Sequence, residues 1–209
     1  MNSRRMMGRR APLVAALLLG MGMSAAHAGD DCDGQFGTPG ATATGADAFA
    51  CGTQANASGL RATAFGTRAR ATDEEAVAVG FNSESSGFHS SAIGALALAS
   101  GRGASAFGWQ ARATGDLSTA TGNNAVASGA NSTANGRAAT ASGANSSAIG
   151  QGSSASGANS TAVGQGSVAS GVNSTALGQG SVASGLNSTA LGQGSQATGE
   201  DGPAVGQAS

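Results

Sequence analysis

A seven-residue period runs from Ala41 to Ala208 without a single insertion or deletion. The span contains 168 residues, or 24 units of the form small–x–Ala–x–Gly–x–x. The third place is Ala in every unit except at Ser85, and the fifth place is Gly in every unit except at Asp73. A short fixed period over most of a chain predicts a solenoid, in which each coil packs on its neighbours. The same period argues against an enzyme, because catalysis needs unlike residues gathered in one place. We therefore expect no catalytic residues and no cofactor.

The full repeat is fourteen residues, because the fourth place alternates between two kinds of side chain. Counting from Ala41, the fourth place of every odd unit is Ser or Thr. In the even units it is apolar in ten of twelve, and Thr121 and Asn135 are the exceptions. Two unlike strands therefore alternate along the chain. The sequence predicts an all-β fold, a parallel β-roll solenoid of about 12 coils with 14 residues in each coil.

Small side chains at the first, third and fifth places predict a narrow interior. Successive side chains of a strand point to opposite faces, so these three places share one face. They hold Ala or Ser, then Ala, then Gly, which lets two strands face each other closely. We predict a five-residue strand and a two-residue connection in each unit. Asn recurs at the seventh place of odd units, which favours a left-handed turn and predicts a ladder of stacked amides.

The apolar fourth-place column of the even units predicts an association surface. On a single roll this column would lie exposed on one sheet, and contiguous apolar patches mark interfaces. Burial of large side chains offers roughly 1.5–3 kcal/mol each, whereas an Ala and Ser interior buries little apolar area. We predict that copies of the chain bury the column around a common axis, and three rolls would close a triangular prism, although the period alone does not fix that number. The predicted trimer interface consists of Phe65, Val79, Ile93, Phe107, Ile149, Val163, Leu177, Leu191 and Val205.

Residues 1–28 have the pattern of an export signal. Four arginines precede an apolar stretch from Ala11 to Met23, and Ala26-His27-Ala28 supplies a cleavage pattern. Ser3-Arg4-Arg5 leaves the twin-arginine route as an alternative to general secretion. No other stretch predicts a transmembrane helix, so we expect no membrane insertion of this chain. The predicted organisation is a signal peptide at 1–28, an N-terminal cap segment at 29–40 and a repeat domain at 41–208, exported to the cell surface or the extracellular space.

The predicted exported chain is acidic. Cleavage would remove four of the ten arginines and none of the eleven acidic residues, which leaves a net charge of −5. The sequence contains no Lys. Nucleic acids bind basic surfaces, so this composition argues against a nucleic-acid partner.

Both cysteines, Cys32 and Cys51, belong to the predicted exported part. Disulfides form in oxidising compartments, so we predict that the two residues pair. The closed loop would contain about 20 residues and would stabilise the fold by about 3 kcal/mol. The alternative is two separate thiols, with Cys51 filling its apolar column.

Candidate metal ligands and catalytic side chains are few. His89 is the single histidine after the predicted signal, and it lies at a connection without a ligand cluster, so we expect a loop residue. Asp73-Glu74-Glu75 is an acidic run at a connection, which is typical of a solvated edge, with weak cation binding as the alternative. No Ser-His-Asp set can form around one turn histidine. We predict no metal site.

Trp109 lies at a connection, with Phe81 and Leu96 at nearby connections of earlier coils. These three residues predict a local hydrophobic cluster at the edge of the trimer. The alternative is that Trp109 is an exposed ligand contact.

The later repeats carry a signature: Asn145-Ser-Ser-Ala-Ile-Gly-Gln-Gly-Ser153, Asn159-Ser-Thr-Ala-Val-Gly-Gln-Gly-Ser167, Asn173-Ser-Thr-Ala-Leu-Gly-Gln-Gly-Ser181 and Asn187-Ser-Thr-Ala-Leu-Gly-Gln-Gly-Ser195. This signature resembles the head repeats of trimeric autotransporter adhesins, the YadA-like heads of Gram-negative bacteria, which read Asn-Ser-Val-Ala-Ile-Gly-x-x-Ser. The resemblance covers residues 41–208. It implies a left-handed parallel β-roll, a homotrimer, and adhesion to a host matrix protein such as collagen.

This sequence differs from that family in two features. The family continues into a neck, a coiled-coil stalk and a β-barrel anchor, whereas this sequence shows no sustained heptads and no aromatic-rich barrel strands before Ser209. A head-only product, a truncated gene and an anchor supplied by another chain all remain open. The third motif place, Val in the family, is Ser147, Thr161, Thr175 and Thr189 here.

The leading hypothesis is a non-enzymatic, adhesin-like head that attaches to host extracellular matrix or other cells through many weak contacts. One alternative is an ice-binding β-solenoid, because flat Thr ladders can serve that purpose. Another is a passive structural spacer or a truncated remnant of an autotransporter. The candidate ligand-binding residues are Asn145, Asn159, Thr161, Asn173, Thr175, Asn187, Thr189 and Trp109.

Overall fold

The computed structural model describes residues 30–32 and 40–209. The predicted signal peptide, residues 1–28, lies outside the described residues, and so does most of the predicted cap segment. No helix occurs in the described part of the chain, which forms an all-β solenoid of two parallel sheets.

Strands of the two sheets alternate along the described chain, so that each coil contributes one strand to each sheet. The 13-stranded sheet contains β1 Asp30–Cys32, β3 Phe49–Cys51, β5 Thr63–Phe65, β7 Val77–Val79, β9 Ser91–Ile93, β11 Ser105–Phe107, β13 Thr119–Thr121, β15 Thr133–Asn135, β17 Ser147–Ile149, β19 Thr161–Val163, β21 Thr175–Leu177, β23 Thr189–Leu191 and β25 Pro203–Val205. The 12-stranded sheet contains β2 Thr42–Ala43, β4 Asn56–Ala57, β6 Arg70–Ala71, β8 Glu84–Ser85, β10 Leu98–Ala99, β12 Arg112–Ala113, β14 Val126–Ala127, β16 Thr140–Ala141, β18 Ser154–Ala155, β20 Val168–Ala169, β22 Val182–Ala183 and β24 Gln196–Ala197.

The strand register confirms the fourteen-residue coil. Thr161 pairs with Thr175, and Val163 pairs with Leu177. Each residue therefore stacks on its equivalent in the next coil, and a sequence column becomes a column in space. The all-β class and the parallel β-roll of about twelve coils are confirmed; the left-handed sense of the coil stays a prediction.

The interior is built almost wholly from Ala and Ser. The third-place alanines, such as Ala162 and Ala176, are fully buried, and the first-place residues are buried beside them. Ser160 and Ser174 are among the largest fully buried side chains of the described residues. No side chain larger than Ser is fully buried among the described residues, as the column of small residues predicts.

The fifth-place glycines differ between the two kinds of unit, which the sequence analysis did not anticipate. A Cβ on Gly157 in an odd unit would lie 2.6 Å from the carbonyl carbon of Gly171 in the next coil. A Cβ on Gly164 in an even unit would lie equally close, 2.6 Å, to the carbonyl carbon of Gly178, and Gly164 has in addition φ +133°, a value that L side chains rarely adopt. The prediction of five-residue strands is wrong, because the strands have three residues in one sheet and two in the other.

Every seventh place of the repeat has positive φ, as the Asn residues at this place predict. Asn145 and Asn159 both have φ 56°, and Gly152 has φ 65°. Asn is one of the few non-glycine residues that adopts this left-handed conformation readily. The repeat therefore closes both of its turns with the same backbone conformation.

Candidate functional site

The outer face of the 13-stranded sheet carries the apolar column, and we call it the association face. In β21 the side chains of Thr175 and Leu177 point outward while Ala176 is buried. Leu177 is 42% exposed and Phe65 is 51% exposed on the single chain. The structure brings all nine predicted interface residues into this one column.

Two polar residues interrupt the column at its middle. Thr121 pairs with Phe107 on one side, and Asn135 pairs with Ile149 on the other. The association face therefore has two apolar halves with a polar layer of two strands between them, as the sequence predicts.

The threonines proposed as ligand contacts lie on the association face as well. Thr161, Thr175 and Thr189 each begin a strand of the 13-stranded sheet and share its outer face with Val163, Leu177 and Leu191. A partner chain that covers the apolar column would cover these hydroxyls too. Placement thus separates the candidate ligand residues into threonines on the association face and asparagines elsewhere.

The connections that follow the 12-stranded sheet form what we call the Asn edge, after its asparagines. Asn145 Nδ2 donates to Asn159 Oδ1 at 3.1 Å, and Asn159 Nδ2 donates to Asn173 Oδ1 at 3.1 Å. The same bond continues from Asn173 to Asn187 and then from Asn187 to Asp201. These bonds confirm the predicted amide ladder, whose side chains are exposed.

The opposite connections, which follow the 13-stranded sheet, form the Gln edge. Gln165 Nε2 donates to Gln151 Oε1 at 3.2 Å, and Gln179 Nε2 donates to Gln165 Oε1 at 3.0 Å. Gln193 extends this second ladder with a bond of 3.1 Å to Gln179. This second ladder was not predicted from the sequence, although Gln recurs every fourteen residues from Gln151 to Gln193.

The first half of the Asn edge is charged. Arg61 Nη2 lies 2.8 Å from Glu74 Oε1 and 2.8 Å from Glu75 Oε1. His89 Nε2 lies 3.2 Å from Glu75 Oε2, and the His89 ring stacks on Phe88 with 3.8 Å between centroids. Arg61, the acidic run and His89 thus lie in one surface network across three successive coils, which was not predicted from the sequence.

A shallow groove continues the Asn edge beyond this network. It has a volume of about 470 Å³ and is lined by Phe88, His89, Arg102, Gly103, Asp116 and Leu117. Its two charged side chains are already engaged, because the Arg102 guanidinium lies over the Phe88 ring and Asp116 Oδ1 accepts from the Arg102 backbone N–H.

Trp109 lies on the Gln edge and is 47% exposed. Phe81 is exposed on the same edge, whereas Leu96 is half-buried and lines a second groove of about 450 Å³ with Gln110. The structure thus places these residues at the predicted connections, on an edge and not on either sheet face.

Cys51 is disulfide-bonded. Strand pairing sets the backbone of Cys32 beside that of Cys51, since these residues are register partners in β1 and β3. The pairing of Cys32 with Cys51 remains our prediction for the identity of the bond.

Neither a metal centre nor a membrane-spanning helix is found in the described part of the chain. No cluster of three or more His, Cys, Asp or Glu residues that could hold an ion occurs in residues 30–32 and 40–209. Within the same residues no helix has the length and apolar character to cross a bilayer.

Comparison with known proteins identifies the repeat. The YadA head domain repeat model matches residues 43–69, 57–83, 85–111, 113–139, 127–153, 141–167, 155–181, 169–195 and 183–209. Among solved structures, the collagen-binding domain of the Yersinia adhesin YadA is 31% identical over 73% of this chain and 69% of that domain, with a TM-score of 0.36. No curated protein matches the chain. Because the repeat model covers nearly all of residues 43–209, the chain belongs to the YadA head family.

Proposed function

We propose that the chain is the head of an exported adhesin, in which three copies associate through their association faces and attach the cell to a matrix protein or another cell. The chain's family is of the adhesin type, which supports attachment as its general role and the cell surface or the extracellular space as its location. Three copies and a matrix ligand are the specific parts of the proposal.

The apolar column is the observation that carries the proposal. Phe65, Ile149, Leu177 and Leu191 are large, well exposed and in register along the described sheet. Each such side chain gains about 1.5–3 kcal/mol when it is fully buried, as an upper estimate. Soluble proteins rarely leave so long an apolar column open to water, so association of copies is the arrangement that its exposure favours.

Attachment through this fold would be polyvalent. The grooves of the described chain are shallow, and the edges present repeated amides in place of a single enclosed pocket. Weak contacts that repeat along a rod and across several chains act together, because each bound contact raises the effective concentration of the next. We assign the ligand contacts to Asn145, Asn159, Asn173 and Asn187 of the Asn edge and to Trp109 of the Gln edge.

The threonines belong to the interface in this proposal. Thr161, Thr175 and Thr189 lie beside the apolar column, so a sister chain would cover them. Their hydroxyls would line the same contact as Val163, Leu177 and Leu191. This placement counts against the ice-binding alternative, which needs that threonine column open to water.

The test measures mass and binding on one preparation of residues 29–209. Light scattering should give three times the chain mass, and a panel of immobilised collagen, fibronectin and intact cells should show saturable binding that weakens sharply when the copies are separated. Collagen comes first because the Yersinia domain is described as collagen-binding. A folded single chain at high concentration would overturn the association. Thermal hysteresis without matrix binding would favour the ice-binding solenoid, and a folded trimer that binds nothing would favour the passive spacer.

A further inference from the structure

Five asparagines of the Asn edge begin the sequence Asn-x-Ser/Thr, which is the acceptor pattern for N-linked sugars. These residues are Asn131, Asn145, Asn159, Asn173 and Asn187, each followed two places later by Thr133, Ser147, Thr161, Thr175 and Thr189. The family repeat that the chain resembles has Val at that later place. Ser or Thr at this place therefore gives each of these five repeats a complete acceptor sequence.

We propose that these asparagines are acceptors for N-linked glycosylation in the exported protein. The co-reactant is a sugar activated by a phosphate leaving group, either nucleotide-linked or lipid-linked, together with a transferase. The bond between the sugar C1 and the phosphate oxygen breaks, the phosphate leaves with the electron pair, and C1 bonds to Asn Nδ2, which gives up one proton to a basic group of the transferase. No electrons are exchanged with any other reagent, so the step is a simple group transfer.

A sugar on any of these acceptor atoms would remain in solvent after the roll has folded. All five asparagines are exposed, and their edge lies off both sheet faces. A sugar on Asn159 would therefore project from the turn into solvent without entering the association face that Thr161 shares with Val163. Glycosylation and burial of the apolar column are compatible with one another. On a modified coil, the ligand contact that we assign to the asparagine would be made by its attached sugar.

The amide ladder survives the substitution. Asn145 Nδ2 donates one hydrogen to Asn159 Oδ1 at 3.1 Å, and a primary amide carries two hydrogens. Attachment of C1 replaces one hydrogen and leaves the other to donate to the next coil. The Oδ1 acceptor is not altered at all, so each ladder bond can be kept in a glycosylated rod.

The transfer must precede folding. The Asn159 backbone N–H donates to Ala144 O at 2.8 Å, and the Thr161 N–H donates to Ser174 O at 2.9 Å. The residue between them, Ser160, is buried in the interior. A transferase has to bind all three residues of the acceptor sequence, so it would act on the chain before the coil closes.

The chain provides its own unmodified controls. Asn82 and Asn124 occupy the seventh place of even units, on the Gln edge, with φ 52° and 57°, and Glu84 and Val126 stand two residues later. Asn56 precedes Ala57 and Ser58 and so also fits the pattern. It is not included in the proposal, because it lies in strand β4 with its Oδ1 buried, and a sugar attached before folding would disturb that strand.

The experiment is peptide mapping by mass spectrometry of the protein isolated from the cells that export it, with fragmentation that keeps sugars attached. Sugar on asparagines of the Asn edge, with Asn82 and Asn124 bare, is the expected result. Bare peptides at all five asparagines would overturn the proposal. This test uses the wild-type protein, so its result does not depend on whether a variant folds.

Variants then test the role of the hydroxyl. Thr161→Val with Thr175→Val restores the family residue and should remove sugar from Asn159 and Asn173 while Asn187 keeps it. Thr119→Val is the matched control, because Thr119 lies on the same face but Leu117 stands two residues before it. Sugar retained on Asn159 and Asn173 in the double variant, at the wild-type level, would show a modification that ignores the hydroxyl and would also overturn the proposal.

Discussion

Gly157 lies directly beneath Gly171, its equivalent in the next coil, and a Cβ built on Gly157 would lie 2.6 Å from the Gly171 carbonyl carbon. The same relationship holds between Gly143 and Gly157, where the distance is 2.5 Å. Because the obstacle is backbone and not the end of a flexible side chain, it cannot move aside without opening the ladder. The glycine column of the odd units is therefore a requirement of coil spacing.

Replacing Gly157 by Ala should destabilise the roll strongly. Overpacking of this kind costs about 1–3 kcal/mol and occasionally more. Gly152→Ala is the control, since the described structure has nothing within 4 Å of its Cβ position and Ala138 already adopts φ 56° at the equivalent place. That change should cost only about 1–2 kcal/mol for its left-handed conformation. Urea denaturation monitored by circular dichroism measures both, and equal midpoints would contradict the argument.

The period fixed most of the fold in advance, because a repeat without insertions sets the strand register. Val163 stacks on Leu177, and residues at every other place of the repeat stack in the same way. The residue types in each column therefore indicate whether that column is buried or exposed. The interior of Ala and Ser followed for the same reason. The turn at the seventh place followed from Asn145 and its equivalents, since few other residues tolerate positive φ.

The features that were not predicted depend on backbone geometry and on distances between neighbouring coils, which the period of a sequence does not specify. Gly157 and Gly164 occupy the same place in their units and both follow a strand, yet only Gly164 has positive φ. The network of Arg61, Glu75 and His89 forms between connections of neighbouring coils, and it depends on side-chain reach. Sequence reasoning likewise grouped Thr161 with the asparagines as a ligand contact, although strand alternation sets it beside Val163.

A charge on the association face should separate the copies. Leu177→Asp removes a large side chain from the proposed contact and forces a carboxylate out of water whenever sister chains approach. Val182→Asp is the control, because Val182 projects from the outer face of the 12-stranded sheet. Light scattering should give the single-chain mass for Leu177→Asp and the wild-type mass for Val182→Asp. An unchanged assembly of Leu177→Asp would place the interface elsewhere.

The charged network on the Asn edge should contribute little to stability. Its side chains are all at least 36% exposed, and surface ion pairs are typically worth about 0–1 kcal/mol. Arg61→Gln should therefore lower the free energy of unfolding by less than about 1 kcal/mol. The loss should vanish at about 1 M salt, where charges are screened within a few ångströms.

Arg68→Gln provides the comparison for that measurement. Arg68 Nε donates to Gln54 Oε1 at 3.1 Å, and the described structure gives it no carboxylate partner. Its replacement should show no salt-dependent change. A loss of several kcal/mol in Arg61→Gln would mean that the network holds neighbouring coils together.

Loss of the disulfide should loosen only the start of the roll. A loop of this size is worth about 3 kcal/mol, but a solenoid transmits stability mainly to neighbouring coils. Cys51→Ser should speed amide exchange in β3 and β5 while β21 and β23 keep their protection. Hydrogen exchange with mass spectrometry resolves the two regions, and uniform loss of protection would show a fold more cooperative than its repeat suggests.

Two serines of one interior column should respond oppositely to truncation. Ser174 Oγ donates to Gly171 O at 2.7 Å, whereas the buried Ser160 Oγ has no hydrogen-bond partner among the described residues. Ala104 fills the same column fully buried, so Ala fits the space. Ser174→Ala should cost about 0.5–1.5 kcal/mol by the loss of its hydrogen bond. Ser160→Ala should be neutral or stabilising, because it removes a buried hydroxyl that is unpaired. Urea denaturation of the two variants side by side gives the sign, and a larger loss in Ser160→Ala than in Ser174→Ala would show that the Ser160 hydroxyl is bonded in solution.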